Sequence, residues 1–256
     1  MATWTGLRRL MRVAALADVH GNAPALAAVL EEVEREAPDL VVFCGDLTWG
    51  SLPQETPALV RGLEIPARFV RGNAERALLE LRNGEIESPT GRERWMLAQH
   101  LEEDLALLGT FEPTILVEVD GVGATCFSHG SPRSDEECVT ERTPPERVRE
   151  FMEGVDASVV VTAHVHVSYE RTVDGVRLVG PGSVGLPCEG RSGAGAYWAL
   201  LGPDFQLRRT EYDVETAVAR MRETDDPRAD EITEMMLIPP ARDDAITDAE
   251  ERVFAG

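Results

Sequence analysis

The stretch that decides the fold is residues 13–22, which read VAALADVHGN. An apolar run ends abruptly in an acid, a spacer and a histidine, followed by Gly-Asn. We expect a buried strand that presents Asp18 and His20 at its tip, since residues two apart on a strand point to the same side. A carboxylate oxygen and an imidazole nitrogen both bind divalent metals. The pair alone is a weak signal, because D-x-H occurs by chance in many chains, and a metal site needs further ligands.

The residues that follow predict alternating helices and strands. Apolar residues recur at helical spacing over 23–37, and Asn22 is placed to cap that helix. Apolar runs at 39–44 and 67–71 are predicted strands, and a helix over about 53–62 lies between them. The resulting pattern, β-α-β-α-β, predicts a parallel sheet covered by helices.

The second half of the chain changes character and favours hairpins. Further strands are predicted over 114–119, 122–127, 157–162, 169–173, 176–179, 195–201 and 205–212. Further helices are predicted over 76–81, 92–108, 145–152, 214–222 and 228–236, with a break at Ser88-Pro89. The acidic tail, 239–256, is expected to be loosely held. Since no internal repeat or linker is visible, we expect a single domain over 1–256, with a core of about 12–212 and a helical, acidic tail from about 213.

Charge and composition exclude several classes of function. The chain has 256 residues and a formal net charge of -21, and all of its basic residues are arginines. Without lysine, a P-loop lysine, a Schiff base and a Ser-Lys dyad are impossible. A chain this acidic is not expected to bind nucleic acids or anionic membranes generically. A small anionic substrate is compatible with it, provided that a metal supplies local positive charge.

The expected location is the cytoplasm. No apolar run approaches the ~20 residues that a membrane span needs, and residues 1–11 lack the apolar segment of a secretory signal. The four cysteines form no C-x-x-C pair, and Cys44 and Cys126 lie in apolar runs typical of buried, reduced thiols. A reducing compartment fits this pattern best.

Side chains able to bind metals follow five apolar runs in turn. They are Asp18-x-His20, Gly45-Asp46, Gly72-Asn73, His129-Gly130 and His164-x-His166. Taken singly, each has an ordinary structural explanation, as a polar strand end, an Asx turn or a buried histidine. Together they are a poor coincidence, because open α/β sheets place their sites at the carboxyl ends of strands. Two Asp, one Asn and four His suffice for two metals that share a carboxylate, with positions left for water and substrate.

As an ordered set, these motifs resemble the calcineurin-like metallophosphoesterase superfamily, and especially its YfcE-type bacterial phosphoesterases. The narrower resemblance lies in residues 17–22, the His-Gly-Ser-Pro run from His129 and the Pro-Gly-Ser-Val-Gly loop from Pro181, and it extends over about residues 12–212. It implies an α/β fold, a four-layer α/β/β/α sandwich, with a dinuclear metal site at the strand ends. It also implies that one metal is held by Asp18, His20 and His166, the other by Asn73, His129 and His164, and that Asp46 bridges them.

Two positions depart from the family pattern. Ala163 stands where the last motif usually has glycine, so its methyl group has to be accommodated. Ala74 follows Asn73, where members that act on phosphomonoesters often carry a histidine that protonates the leaving group or holds the phosphate. Alanine does neither, so the resemblance implies a preference for phosphodiesters or activated esters with good leaving groups.

The sequence therefore predicts a cytoplasmic, metal-dependent phosphoric ester hydrolase of phosphodiesterase type. A hydroxide that bridges the metals attacks phosphorus in line with the leaving oxygen. We assign catalytic roles to Asp46, Asn73 and His129. The ligand set suits two divalent ions, Mn, Fe, Ni or Zn, and manganese is favoured. The expected partner is a small phosphorylated substrate.

Several alternatives stay open at this stage. Asn22 contacts a phosphate oxygen or caps a helix, and Arg133 clamps the substrate phosphate or is a surface arginine. Residues 83–108 overhang the site or form a packed helix pair. Glu75 is interpreted as an acid at a helix start, stabilised by the helix dipole. For the whole protein, the alternatives are a scaffold or regulatory binding protein, a nuclease, and a phosphomonoesterase or protein phosphatase. They are disfavoured respectively by the complete ligand set, by the acidic charge and by Ala74.

Overall fold

Two five-stranded sheets form the centre of the protein. The computed structural model describes residues 11–88 and 90–254. The strands are β1 Val13–Leu16, β2 Leu40–Phe43, β3 Ala67–Phe69, β4 Thr114–Val119, β5 Gly123–Ser128, β6 Val159–Val161, β7 Ser168–Val173, β8 Val176–Pro181, β9 Ala196–Leu201 and β10 Phe205–Thr210. The helices are α1 Ala23–Glu36, α2 Glu55–Arg61, α3 Asn73–Asn83, α4 Arg92–Gln99, α5 Glu102–Leu108, α6 Pro145–Phe151, α7 Val214–Arg222, α8 Ala229–Leu237 and α9 Arg242–Phe254.

Each sheet has a parallel centre and antiparallel edges. The first has the order β10-β9-β1-β2-β3, in which β1, β2 and β3 run parallel. The second has the order β4-β5-β6-β8-β7, in which β5, β6 and β8 run parallel. The predicted β-α-β-α-β unit and both predicted hairpins are confirmed. Consequently, the carboxyl ends of six parallel strands lie at one edge of the two sheets.

The alternation of side chains along the strands produces four layers. In β1, Ala14 and Leu16 pack against the helices, whereas Val13 and Ala15 face the second sheet. Helices α1, α3, α4 and α5 cover the outer face of the first sheet. Helix α6 covers the second sheet through Val148 and Phe151. The expected α/β/β/α sandwich is therefore confirmed.

Two expectations about helices are wrong. The predicted helix over 92–108 is interrupted at His100 and Leu101, where the Asp104 carboxylate accepts from the Leu101 amide and starts a new helix. The acidic tail is not loosely held, because α9 buries Ile246 completely against Val167. Its acidic composition hid this short apolar stripe.

Helix α1 begins as the sequence predicts. The Asn22 side-chain oxygen accepts from the Ala25 amide at 3.1 Å, which caps the helix. All four cysteines are free and buried. Within the two described ranges, no helix is long and apolar enough to cross a membrane. The expectations for residues 1–10, for Pro89 in the predicted break and for the last two residues fall outside those ranges.

Candidate metal centre

The first and last motifs lie beyond their strands, in tight turns. Asp18, His20 and Asp46 have φ of 52°, 49° and 52°, and His164 and His166 have φ of 67° and 62°. Left-handed backbone costs a non-glycine residue on the order of 1 kcal/mol or more. Neither Asp18 nor His20 lies in a strand, so strand alternation, which their spacing suggested, is not what brings their side chains together. Consecutive left-handed turns aim them instead.

Hydrogen bonds between the loops hold these strained turns in place. The Asp18 amide donates to the Gly45 carbonyl at 3.1 Å, and the His20 amide donates to the Asp46 carbonyl at 2.9 Å. The Gly185 amide donates to the Asp18 carbonyl at 3.0 Å. A β-carbon on Gly185 would lie 2.0 Å from the Val19 carbonyl oxygen, so only glycine allows this approach. The Pro-Gly-Ser-Val-Gly loop thus supports the first motif directly.

The structure brings together all seven side chains that the sequence singled out as ligands. His20 Nε2 lies 3.0 Å from His166 Nε2, and Asp18 Oδ1 lies 3.6 Å from the latter. On the other side, His129 Nε2 lies 2.9 Å from Asn73 Oδ1 and 3.2 Å from His164 Nδ1. Between the two sets, Asp46 Oδ2 lies 3.7 Å from His20 Nε2, and Asp46 Oδ1 lies 3.5 Å from His129 Nε2.

Backbone carbonyls fix the tautomers of three of these histidines. The Nδ1 atoms of His20, His129 and His166 lie 3.1, 2.8 and 2.7 Å from the carbonyl oxygens of Trp49, Cys44 and Leu186. Because a carbonyl only accepts, each Nδ1 carries a proton, so that in the neutral ring each Nε2 presents a lone pair. Two such lone pairs, on His20 and His166, then face each other at 3.0 Å. That contact is repulsive unless a cation lies between the nitrogens, so the donor set fits a metal.

Asp18 supplies a second sign of a bound cation. Its carboxylate is fully buried, and Oδ1 has no hydrogen-bond partner among the described residues. Its other oxygen accepts from the His164 amide at 3.1 Å. A buried charged oxygen without a partner is costly, and a divalent ion satisfies it. Asp18, His20 and His166 have ligand atoms within 4.8 Å of one another, as have Asp18, Asp46 and His129.

Burial also sets the protonation of the site. It lowers the pKa of His166 to about 3 and, together with the charge of His129, lowers the pKa of His164 to about 4. Both rings are therefore neutral at pH 7, as metal ligands must be. Burial alone would raise the pKa of Asp46, but three neighbouring histidines hold it below its usual value. Asp46 is thus ionised between the two sets of ligands.

A family model of the calcineurin-like phosphoesterase superfamily domain matches residues 11–201. The chain belongs to this superfamily. Members of the superfamily bind divalent metals, and the clustered donors described above are this chain's candidate ligands. Ala163, the departure in the last motif, is accommodated because it lies in the core between the sheets and lacks the positive φ of His164.

The chain is similar in sequence or structure to several other proteins. The uncharacterized protein MJ0912 of Methanocaldococcus jannaschii is 25% identical over 229 residues, which cover 82% of this chain and 91% of that one. The structure of a metallophosphoesterase from Sphaerobacter thermophilus matches with 26% identity and a TM-score of 0.68, over 89% of this chain and 98% of that one. The hypothetical protein PH1004 from Pyrococcus horikoshii has 19% identity and a TM-score of 0.76, over 91% and 100%. YfcE from E. coli also matches, at 17% identity and a TM-score of 0.44, too distantly to add to the family model.

Glu75 has a role in this phosphoesterase fold that its sequence position only partly revealed. It is buried, and its carboxylate accepts from the amides of Asp46, Leu47 and Gly72 at 2.9, 2.7 and 2.8 Å. It therefore caps α3 and, beyond the expected dipole effect, fastens the turn that carries Asp46. Burial and the nearby Asp46 carboxylate raise the pKa of Glu75 to about 7 in the absence of metal. Divalent cations beside Asp46 would lower it again.

A cleft of about 350 Å³ is lined by five of the seven side chains: His20, Asp46, Asn73, His164 and His166. Its floor includes His20, Asp46 and Asn73, and Ala74 and Trp49 line its sides. Its roof comes from distant parts of the chain: Arg92, Arg228, Glu231, Ile232, Met235 and Arg252. Of residues 83–108, the cleft contacts Arg92, whereas Met96, Leu105 and Leu108 pack in the core. The C-terminal helices, rather than this stretch, overhang most of the site.

The two candidate substrate contacts, Asn22 and Arg133, do not line this cleft. The Asn22 side-chain nitrogen donates to the Gly185 carbonyl and the Tyr212 hydroxyl, both at 3.0 Å, and its oxygen caps α1. Both polar atoms are engaged inside the fold, so its role is structural. Arg133 pairs with Glu137 at 2.7 Å on the surface, beside a cavity that also includes His129. The surface interpretation of Arg133 is therefore the one that its contacts support.

Proposed function

We propose that this protein hydrolyses small phosphoesters with two divalent metal ions held by the seven converging side chains. The observation that carries the proposal is a set of ligand atoms that face one another although none of them carries a hydrogen to donate. The paired Nε2 atoms of His20 and His166, and the Oδ1 of Asp18, which has no hydrogen-bond partner among the described residues, favour a cation at this position. The superfamily to which the chain belongs binds divalent metals.

The arrangement of donors supports two ions rather than one. One group of ligands is Asp18, His20 and His166, and the other is Asn73, His129 and His164. The two oxygens of Asp46 face different groups, as a bridging ligand must. When bound, a pair of divalent ions lowers the pKa of a coordinated water and neutralises phosphoryl oxygens. We favour manganese, because mixed oxygen and imidazole donors suit it.

The chain's own residues are proposed to orient the reacting groups. Asp46, Asn73 and His129 lie at the floor of the cleft or directly beneath it, so they are the residues proposed to act during the reaction. The carbonyl of Cys44 holds His129 in the tautomer that presents Nε2. The buried turns prevent these side chains from moving away, which keeps the electrostatic environment preorganised.

The preference for phosphodiesters or activated esters rests on what the cleft lacks. Four of the five histidines belong to the ligand set, and the fifth, His100, is buried against Thr48 and Met96. Ala74 lines the cleft next to Asn73 without a titratable group. No histidine is therefore free to protonate a poor leaving group, so esters with good leaving groups are favoured.

The direct test is hydrolysis of bis(p-nitrophenyl) phosphate by purified protein with added manganese. Activity is expected to disappear on chelation and to return with metal. Asp46→Asn and His166→Ala should abolish activity and metal binding while circular dichroism shows a folded protein. Asp204→Asn, which changes an exposed acid outside the cleft, is the matched control. Metal-loaded protein that is inert towards both diesters and monoesters would instead support a scaffold.

A further inference from the structure

The outer wall of the cleft is built by the C-terminal helices. The family model ends at residue 201, whereas α8 and α9 follow it and contribute Arg228, Met235 and Arg252 to the cleft. Two arginines of the roof are already neutralised. Arg92 forms a bidentate pair with buried Asp226 at 2.9 and 3.0 Å, and Arg228 pairs with Glu231.

Arg252 differs from these arginines because, within the described ranges, no carboxylate lies within ion-pair distance of its guanidinium group. This is unusual in a chain of net charge -21, in which acids outnumber bases and most arginines of the described part are paired. Its positive charge is close enough to His164 to contribute to the lowered pKa of that ring. The guanidinium is therefore exposed, without an ion pair among the described residues, and near the candidate metal ligands.

The position of Arg252 is fixed by the anchoring of α9. Ile246 and Ala249 are buried beneath the helix, in line with the one-turn spacing that puts them on one face. At the start of the helix, Arg242 pairs with Glu189 at 3.1 Å and also with Glu141. These contacts attach α9 to the loops beside His166, so Arg252 stays at the rim of the cleft.

We propose that Arg252 binds a second anionic group of the substrate, beyond the phosphoryl group that reacts. The substrate is then a phosphoester that carries an additional phosphate or carboxylate. This inference rests on the proposed function, since it assumes that the phosphoryl group lies on the floor of the cleft.

The surroundings of Arg252 favour a second group over the reacting one. Arg252 also lines two neighbouring cavities, of about 230 and 360 Å³. The first includes His164 and His166 together with Asp244 and Asp248, and the second includes Arg133 together with Glu136 and Glu137. A group that extends from the cleft into either of these cavities therefore lies beside Arg252. An anion beside Arg252 gains a charge-assisted hydrogen bond, whereas most of the acidic surface of this protein would repel it.

The test compares two synthetic diesters that differ by one carboxylate. Both are p-nitrophenyl aryl phosphates, and one carries a carboxylate on the second ring. Arg252→Gln is expected to lower kcat/KM for the carboxylate-bearing diester about tenfold or more, the loss typical of a hydrogen bond between charged groups. For the diester without the carboxylate, kcat/KM should change by no more than about twofold, the scatter expected of an exposed substitution. Arg94→Gln, an exposed arginine on α4 that lines none of these cavities, is the control.

Binding gives a second readout that does not depend on turnover. Calorimetry of manganese-loaded protein with phenylphosphonate and with (4-carboxyphenyl)phosphonate should show the same selective loss in Arg252→Gln. Equal losses for both ligands, or none, would overturn the inference. If wild-type protein hydrolyses neither diester, the proposed function itself fails. If it hydrolyses both and the variant does not discriminate, the assignment of Arg252 alone fails.

Discussion

Replacement of Glu75 by glutamine isolates the support of the bridging carboxylate from the ligands themselves. Glu75 uses two oxygens to accept from three amides, with Asp46 and Gly72 on one oxygen and Leu47 on the other. Glutamine has one oxygen, and its NH₂ group would face an amide donor. At least one buried amide therefore loses its acceptor.

The expected loss in the metal-loaded protein is about 1.5–3 kcal/mol in free energy of unfolding, the value of one hydrogen bond to a charged group. Because Asp46 shares this turn, manganese affinity should also fall, by about 10–100-fold, as for other residues that orient metal ligands. In metal-free protein near pH 7, the carboxyl of Glu75 is partly protonated, since its pKa there is about 7. A protonated carboxyl resembles glutamine, so the loss should be smaller without metal.

Urea unfolding and calorimetric titration with manganese measure both effects. The control is Glu80→Gln on the same helix, where a half-exposed carboxylate pairs with Arg76 on the surface. Surface pairs contribute about 0–1 kcal/mol, so Glu80→Gln should leave metal affinity unchanged. The reasoning is refuted if Glu75→Gln loses no more stability than Glu80→Gln and binds manganese equally well.

Three further predictions concern the leaving group, the roof and pH. Ala74→His should raise kcat/KM for alkyl phosphomonoesters about 10²-fold relative to aryl diesters, because it adds a general acid; an unchanged ratio in steady-state assays would contradict this. Asp226→Ala should lower the free energy of unfolding by about 3–5 kcal/mol, since it leaves Arg92 buried and unpaired. The double variant Arg92→Met/Asp226→Ala should be less destabilised than that single variant in urea, and equal or greater loss would count against the ion pair. In metal-free protein, His164 and His166 should contribute a loss of stability as the pH falls from 6.5 towards 4, because their pKa values are about 4 and about 3 when folded and unfolding therefore takes up protons at both. Glu75, whose pKa is raised to about 7 in the folded protein, contributes in the opposite direction, so the comparison with a variant that lacks both histidines isolates their part. The slope is up to about 1.4 kcal/mol per pH unit for each histidine, and urea unfolding of a variant with both histidines changed to asparagine should show a flatter dependence.

Much of the fold follows from local patterns. Apolar runs that end in polar pairs predicted β1, β2 and β3, and Asp120-Gly121 and Asp174-Gly175 marked both hairpins. Such signals survive folding because a strand or turn depends mainly on its own residues. The exceptions have physical causes. Asp104 restarts a helix at Leu101, and the buried face of α9 consists, among the residues whose burial is described, of Ile246 and Ala249 with Ala245 partly buried beside them.

That the seven candidate ligands lie together was also predictable, but their geometry was not. Residue type and order identified them, because the carboxyl ends of parallel strands meet at one edge. Strand alternation gave the wrong reason for the pairing of Asp18 with His20, since both lie in left-handed turns. Those turns exist only because distant loops hold them.

The sequence by itself determined the β-α-β-α-β unit, the candidate metal ligands and the absence of a free histidine beside Asn73, because these depend on residue type and order along the chain. The four layers followed from the resemblance of its motifs to a known superfamily. Tertiary structure decided which atoms of those side chains face one another, because carbonyls from Trp49, Cys44 and Leu186 select the tautomers. Tertiary structure also decided what covers the site. Arg252 reaches the cleft only because α9 folds back over the last motif, His164-x-His166.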